Sequence, residues 1–209
     1  AGLAEHRPLT YSENIDVIDA ATDEELWPVV LEHSEAAIVL ATADQYRKDN
    51  EDREPSDEEV ATGAARRQGT ALAAKGWALA RTDRVDEAMA VFQSADQVTP
   101  RSYLGVADTD LPVYWGRTLL GRGEVDAAIA LLAPAAIFGA AEGATDALRE
   151  AFVARTGSDE AFEEFLWQSR QQHARVIDDV AAKDYQGTLT SLADVRQDKA
   201  LLLAFWFPT

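Results

Sequence analysis

The sequence predicts a mainly α-helical chain of tandem antiparallel helix hairpins that ends in a segment of different period. Three observations carry this. Apolar residues recur at three- and four-residue spacing over most of the chain, as in helices that bury one face. Turn residues interrupt the spacing at Arg81-Thr82-Asp83, Thr99-Pro100, Gly121-Arg122-Gly123, Gly139 to Gly143 and Thr156-Gly157-Ser158, leaving helix-sized segments between them. Finally, Leu201-Leu202-Leu203-Ala204-Phe205-Trp206-Phe207 is an apolar run bounded by charge and proline, the pattern of a strand buried on both faces.

At the N-terminus, Arg7-Pro8-Leu9-Thr10-Tyr11 reads as extended or turn, and Asn14 to Ala21 as a short helix. Thr22 and Glu25 have capping-box spacing, which predicts a helix start there, with Pro28 kinking or restarting it. One helix is then predicted from Val29 to about Lys48. Residues 47–59 form a charged break; Pro55 separates two helices, and Ser56 with Glu59 caps the next. The acids of this break lack the Asp-x-Asp-x-Asp-Gly spacing of a calcium loop and read as a solvated linker. Helix pairs follow from Glu58 to about Ala182. Beyond them, Leu189 to Leu192 reads as a short strand, or Ser191 to Val195 as a turn of helix. The organisation expected is a helical cap over 1–54, a hairpin domain over 58–182, and over 183–209 the start of a further domain.

Charge and composition narrow the chemistry. Among 209 residues, 37 acids face 19 bases, a net charge of −18, so nucleic acid and anionic membrane surfaces would repel the chain. There is no cysteine, hence no thiolate nucleophile, disulfide or Cys-ligated zinc within the chain. No apolar run reaches the roughly 20 residues of a membrane helix. His6, His33 and His173 are scattered and form no metal-binding cluster. Gly121-Arg122-Gly123 lacks the Lys-Ser/Thr of a phosphate loop and reads as a turn between helices. Glu163-Glu164 beside Trp167 reads as a solvated helix face, not a glycosidase pair. Neither a metal, a cofactor nor a catalytic residue is expected in this chain.

The hairpins repeat. Leu72, Gly76, Leu79, Ala88, Phe92, Ala95 and Pro100 alternate small and large residues so that two helices approach closely at Gly76 and Ala88 while Leu79 and Phe92 fill the crossing. Forty residues on, Gly116, Leu119, Ala128, Leu132 and Ala135 match Gly76, Leu79, Ala88, Phe92 and Ala95, and Val125-Asp126-Ala127-Ala128 echoes Val85-Asp86-Glu87-Ala88. Pro134 is expected to shorten or kink the second helix of this copy. A weaker third pair runs from about Thr145 to Trp167, with Phe152, Ala161 and Phe165 in register and Arg149 at the glycine position. These residues resemble tandem tetratricopeptide repeats. The alternative is a plain helical bundle. The resemblance implies that the residue after each glycine faces a groove. That places Trp77 and Arg117 there, with Arg81 one turn beyond Trp77: an aromatic and two arginines able to receive an acidic or C-terminal peptide. The plainer reading of the same residues is that Trp77 packs on a neighbouring helix and the arginines pair with the abundant acids. The Lys/Asn set of a carboxylate-clamp repeat is not present.

In the tail, Gly187, Ser191-Leu192, Asp194, Lys199, the run Leu201 to Ala204, and Phe205-Trp206 follow one another with Phe207-Pro208-Thr209 at the end. This order resembles the opening of a thioredoxin-like domain of the TlpA/redoxin type, up to the residues that lead into its Cys-x-x-Cys motif; Asp198 stands where that pattern has glycine. The resemblance implies the start of an α/β thioredoxin-like domain, a parent thiol–disulfide oxidoreductase and an exported or periplasmic location. It transfers no catalytic residue, because the redox cysteines are not in this chain. An apolar strand of this kind needs neighbours. Missing downstream sequence is preferred over packing on the chain's own helices or insertion into a partner's sheet. The function expected is thus a helical scaffold or partner-recognition region with a protein or peptide partner. The alternative is a free-standing adaptor or structural subunit of an assembly.

Overall fold

The computed structural model describes residues 7–102, 105–107, 109–173, 181–183, 186, 188–191 and 194. The chain divides into two compact units, Ala1–Gln171 and Gln172–Thr209. The first is helical: α1 (Tyr11–Asp23), α2 (Trp27–Leu40), α3 (Ala43–Asp49), α4 (Asp57–Arg81), α5 (Val85–Val98), α6 (Leu111–Gly121), α7 (Val125–Phe138), α8 (Ala144–Thr156) and α9 (Phe162–His173), whose last residues enter the second. In the second unit, β1 (Ala181–Lys183) pairs antiparallel with β2 (Leu189–Ser191), Ala181 opposite Ser191 and Lys183 opposite Leu189. Residues 181–182, expected to be helical, are therefore extended. Gly187, Leu192, Lys199 and the run Leu201 to Phe207, with Phe205-Trp206, lie outside the described residues.

The helix boundaries follow local chemistry. Ser56 Oγ accepts from the Glu59 amide while the Glu59 carboxylate accepts from the Ser56 amide, the expected capping box of α4. A second box was not expected: Thr10 and Glu13 make the same exchange, so α1 begins at Tyr11 and not near Asn14. Thr22–Glu25 is not a box. Thr22 lies in the last turn of α1, Glu25 takes φ 57°, and α2 starts at Trp27 with Pro28 in its first turn, where a missing N–H leaves no hydrogen bond unmade. The helix expected over Val29–Lys48 is two helices: the chain breaks at Ala41, and Thr42 Oγ1 caps α3 by accepting from the Gln45 amide at 3.2 Å. All five turn breaks predicted beyond residue 80 separate helices. Pro134 does not shorten α7, which has the same 14 residues as α5. In the α8/α9 pair, Phe162 and Leu166 are buried, whereas Ala161 is exposed, so the expected register there is displaced.

Packing runs from neighbour to neighbour: α1 on α2, α2 on α4, α4 on α5 and α6, α6 on α7 and α8, α7 on α8. Three hairpins with short turns share one closing bond, and the longer α7–α8 connection makes it too, from Ala140 N–H to the Ala135 carbonyl with Gly139 left-handed before it. Arg84 N–H donates to the Leu79 carbonyl at 3.0 Å, Glu124 N–H to Leu119 at 2.9 Å, and Leu26 N–H to Ala21 at 2.8 Å. The residue before each donor is left-handed: Asp83, Gly123 and Glu25. At the crossings, a Cβ added to Gly76 would lie 2.5 Å from Phe92 Cε1, and one added to Gly116 would lie 2.5 Å from Leu132 Cγ. The two glycines therefore admit the large residue of the facing helix, as the spacing predicts, and Phe92 and Leu132 are fully buried.

Candidate functional site

The shared turn fixes which residues face the same way. Six residues before the left-handed position stand Trp77 in α4, Arg117 in α6 and Asp19 in α1; two residues before it stand Arg81, Gly121 and Asp23. Because α4 packs on α6, the first two rows converge. Trp77, Arg81 and Arg117, the three residues singled out from sequence, line one cavity of about 240 Å³ together with Ala80, Val85, Thr118, Gly121 and Arg122.

Trp77, the aromatic residue of that lining, packs on two further rings. Trp77 stacks on Tyr114 with centroids 5.2 Å apart and planes at 7°, and meets Trp27 edge-on at 6.3 Å. The Arg81 guanidinium lies over both indoles, 5.3 Å from Trp27 and 5.6 Å from Trp77. Neither Trp27 nor Tyr114 was among the expected site residues. Trp27 belongs to a hairpin whose register the sequence hides, and Tyr114 precedes the second glycine instead of following it.

The arginines are engaged by carboxylates. Arg81 reaches Glu25 at 3.4 Å, Arg117 reaches Glu150 at 3.1 Å, and Arg122 bonds Glu124 at 2.6 Å and Asp86 at 3.1 Å. Packing of Trp77 on its neighbours and pairing of the arginines with acids, the plainer expectation, is thus also what the geometry contains. Pairs this exposed contribute about 0–1 kcal/mol each and exchange readily for another carboxylate.

Carboxyls on α1 and at the start of α6 are perturbed. Asp110 stands at the N-cap of α6 without making a side-chain capping bond. Its carboxyl is held above the usual range, first by desolvation and then by Asp19 and Glu142. The Asp19 carboxyl is raised by desolvation, Asp16 and Asp23. The Tyr114 phenol is raised by burial and by Asp110, Asp19 and Asp23, against a lowering influence of Arg117.

Among the described residues, no group of three or more His, Cys, Asp or Glu side chains is arranged to hold a metal ion, and no helix is long and apolar enough to cross a membrane. No protein-family model matches the chain, and comparison with curated proteins and with solved structures finds no match.

Proposed function

We propose that the helical unit is a partner-recognition scaffold whose α4–α6 groove receives an acidic or C-terminal peptide carboxylate. The single observation that carries the reading is that Trp77, Arg81 and Arg117, from two successive hairpins, line one cavity. Guanidinium forks bind carboxylates in two-point geometry, and an indole wall offers apolar area at little entropic cost. The exposed Glu25 and Glu150 already occupy these arginines in the way a ligand carboxylate would. Titration of the chain with an N-acetylated tetrapeptide ending in phenylalanine, followed by tryptophan fluorescence, tests this. The free acid is expected to bind about tenfold tighter than its amide, a difference of about 1.4 kcal/mol in keeping with a charged hydrogen bond. Arg117→Gln is expected to erase that preference. Equal binding of acid and amide overturns the reading.

The order of residues in the tail further leads us to propose that this scaffold serves a thiol–disulfide oxidoreductase of the redoxin type. The proposal rests on sequence resemblance alone. A Cys-x-x-Cys encoded directly after Thr209 supports it, and a stop codon there favours the free-standing adaptor.

A further inference from the structure

We propose that the α4–α6 groove prefers a phosphomonoester, the side chain of a phosphoserine or phosphothreonine in the partner peptide, held among Arg81, Arg117 and Arg122. This rests on the peptide-binding reading above and adds the class of anion that the groove selects.

The first support is the number of cations. Arg122 lines the same cavity as Arg81 and Arg117, and among the described residues the lining contains no carboxylate. Three guanidinium groups thus meet in one cavity of a chain whose net charge is −18. A carboxylate has two oxygens, enough for two guanidinium groups. A phosphomonoester has three terminal oxygens and up to about two negative charges at pH 7, so each arginine can take one oxygen.

The arginines also keep donors for it. Arg81 and Arg117 each meet their acids through Nη2, and Arg122 meets its own through Nε and Nη1. Among the described residues, no partner takes Nε or Nη1 of Arg81 and Arg117, or Nη2 of Arg122. The acids engage each guanidinium without filling it.

Room for the group lies at Gly121. It stands in α6 where Arg81 stands in α4, one turn beyond Arg117 and next to Arg122. A Cβ added there would meet nothing within 4 Å. The whole cavity, about 240 Å³, is smaller than the roughly 300 Å³ at which pockets for drug-sized molecules begin, so it suits one side-chain group and not a nucleotide.

The test uses the full chain, tryptophan fluorescence and three peptide amides, acetyl-Ala-Ala-X-Ala-Ala, in which X is phosphoserine, glutamate or serine. Inorganic phosphate is the fourth titrant. The phosphoserine peptide is expected to bind about tenfold tighter than the glutamate peptide, as one further charged hydrogen bond would give, and the serine peptide weakest. Because the chain is acidic as a whole, a preference for the more negative peptide has a local cause. Arg122→Gln should remove this preference and leave the acid-over-amide preference of the phenylalanine peptide intact. Gly121→Leu, at an exposed position without left-handed backbone, fills the space and should weaken the phosphoserine peptide by about tenfold or more. Equal binding of the phosphoserine and glutamate peptides overturns the phosphate preference, while a persisting acid-over-amide preference leaves the carboxylate reading standing. A phosphoserine preference that survives both variants also overturns it, by placing the phosphate elsewhere. Inorganic phosphate that binds as tightly as the phosphopeptide overturns it too, by showing a simple anion site. Failure of every peptide to bind at about 1 mM removes both readings.

Discussion

The α4/α5 and α1/α2 hairpins close on the same turn with their large and small residues exchanged. Counted from the turn, Gly76 and Phe92 of the former correspond to Ile18 and Ser34 of the latter, and all four are buried. The α6/α7 hairpin follows the α4/α5 arrangement with Gly116 and Leu132. Other corresponding positions are steadier: Ala37, Ala95 and Ala135 are each 0% exposed, as are Val30, Ala88 and Ala128. What the repeat preserves at its crossing is a filled volume shared between two positions, and either helix can supply the bulk.

The most severe way to break this comparison is to impose one arrangement on half of the other. Phe92→Ser removes a fully buried ring and is expected to cost about 3–5 kcal/mol. Gly76→Ile forces a branched side chain where even a Cβ would lie 2.5 Å from Phe92, an overpacking of about 1–3 kcal/mol or more. Joining them reproduces the Ile/Ser pair of α1/α2, so the double variant should be more stable than the sum of the two losses by about 1–3 kcal/mol in urea unfolding. Strict additivity would show that the two hairpins do not share a packing rule.

A milder perturbation compares the two glycine crossings. Gly76→Ala and Gly116→Ala should each cost about 1–3 kcal/mol, despite the better helix propensity of alanine. Relief should be pair-specific: Gly76→Ala should cost less in a Phe92→Ala background, whereas the cost of Gly116→Ala should be unchanged there. Thermal melting of these variants checks this, and a rescue that crosses hairpins would contradict the local contacts at Gly76 and Gly116.

The shared turns sharpen the comparison with smaller effects. Gly123 takes φ 77° at no steric cost, whereas Asp83 and Glu25 hold φ near 60° with a Cβ. Asp83→Gly and Glu25→Gly are each expected to change stability by at most about 1 kcal/mol in the favourable direction, and Gly123→Asp to lose about 1 kcal/mol. Unfolding midpoints that move the other way would mean that side-chain contacts, such as Glu25 with Arg81, outweigh backbone strain.

These equivalences explain what the sequence made legible. The α4/α5 and α6/α7 hairpins announce themselves because a glycine inside a helix is conspicuous, and the breaks after residue 80 carry Gly, Pro, Thr or Asp. The α1/α2 hairpin is the same unit but presents Ile18 where glycine draws attention and Glu25 where glycine would mark the turn. Thr22 and Glu25 then imitate a capping box by spacing alone, although hydrogen bonding in the turn leaves Thr22 inside α1. The break at Ala41-Thr42 is hidden because apolar periodicity runs across it. In the groove, Trp77, Arg81 and Arg117 were readable from register within two hairpins. The contacts of Trp77 and Arg81 with Trp27 and Tyr114 needed the packing between helices, which no single helix encodes.

The smallest effects concern charge, and α1 again contains both sides of the contrast. At its start, the Arg7 guanidinium and the Thr10 amide and hydroxyl hold Glu13 down to about 2. In its second half, desolvation, Asp16 and Asp23 hold Asp19 above its usual range. The two carboxylates therefore shape stability in opposite directions. The contribution of Glu13 is present above the ordinary glutamate range and is lost as pH falls toward about 2. Asp19 binds its proton more tightly in the folded chain, so stability falls as pH rises through the ordinary aspartate range to the raised folded value, and stays reduced at neutral pH. Asp19→Asn and Asp110→Asn should consequently raise Tm at pH 7, and the gain should shrink as pH falls below the aspartate range and the native carboxyls become neutral. Thr10→Ala should cost about 1 kcal/mol at pH 7 and less at pH 2, where half of its capping exchange is already weakened. Melting curves from pH 2 to 7 decide the matter. A Tm gain from Asp19→Asn that is constant with pH would assign the effect to packing and not to charge.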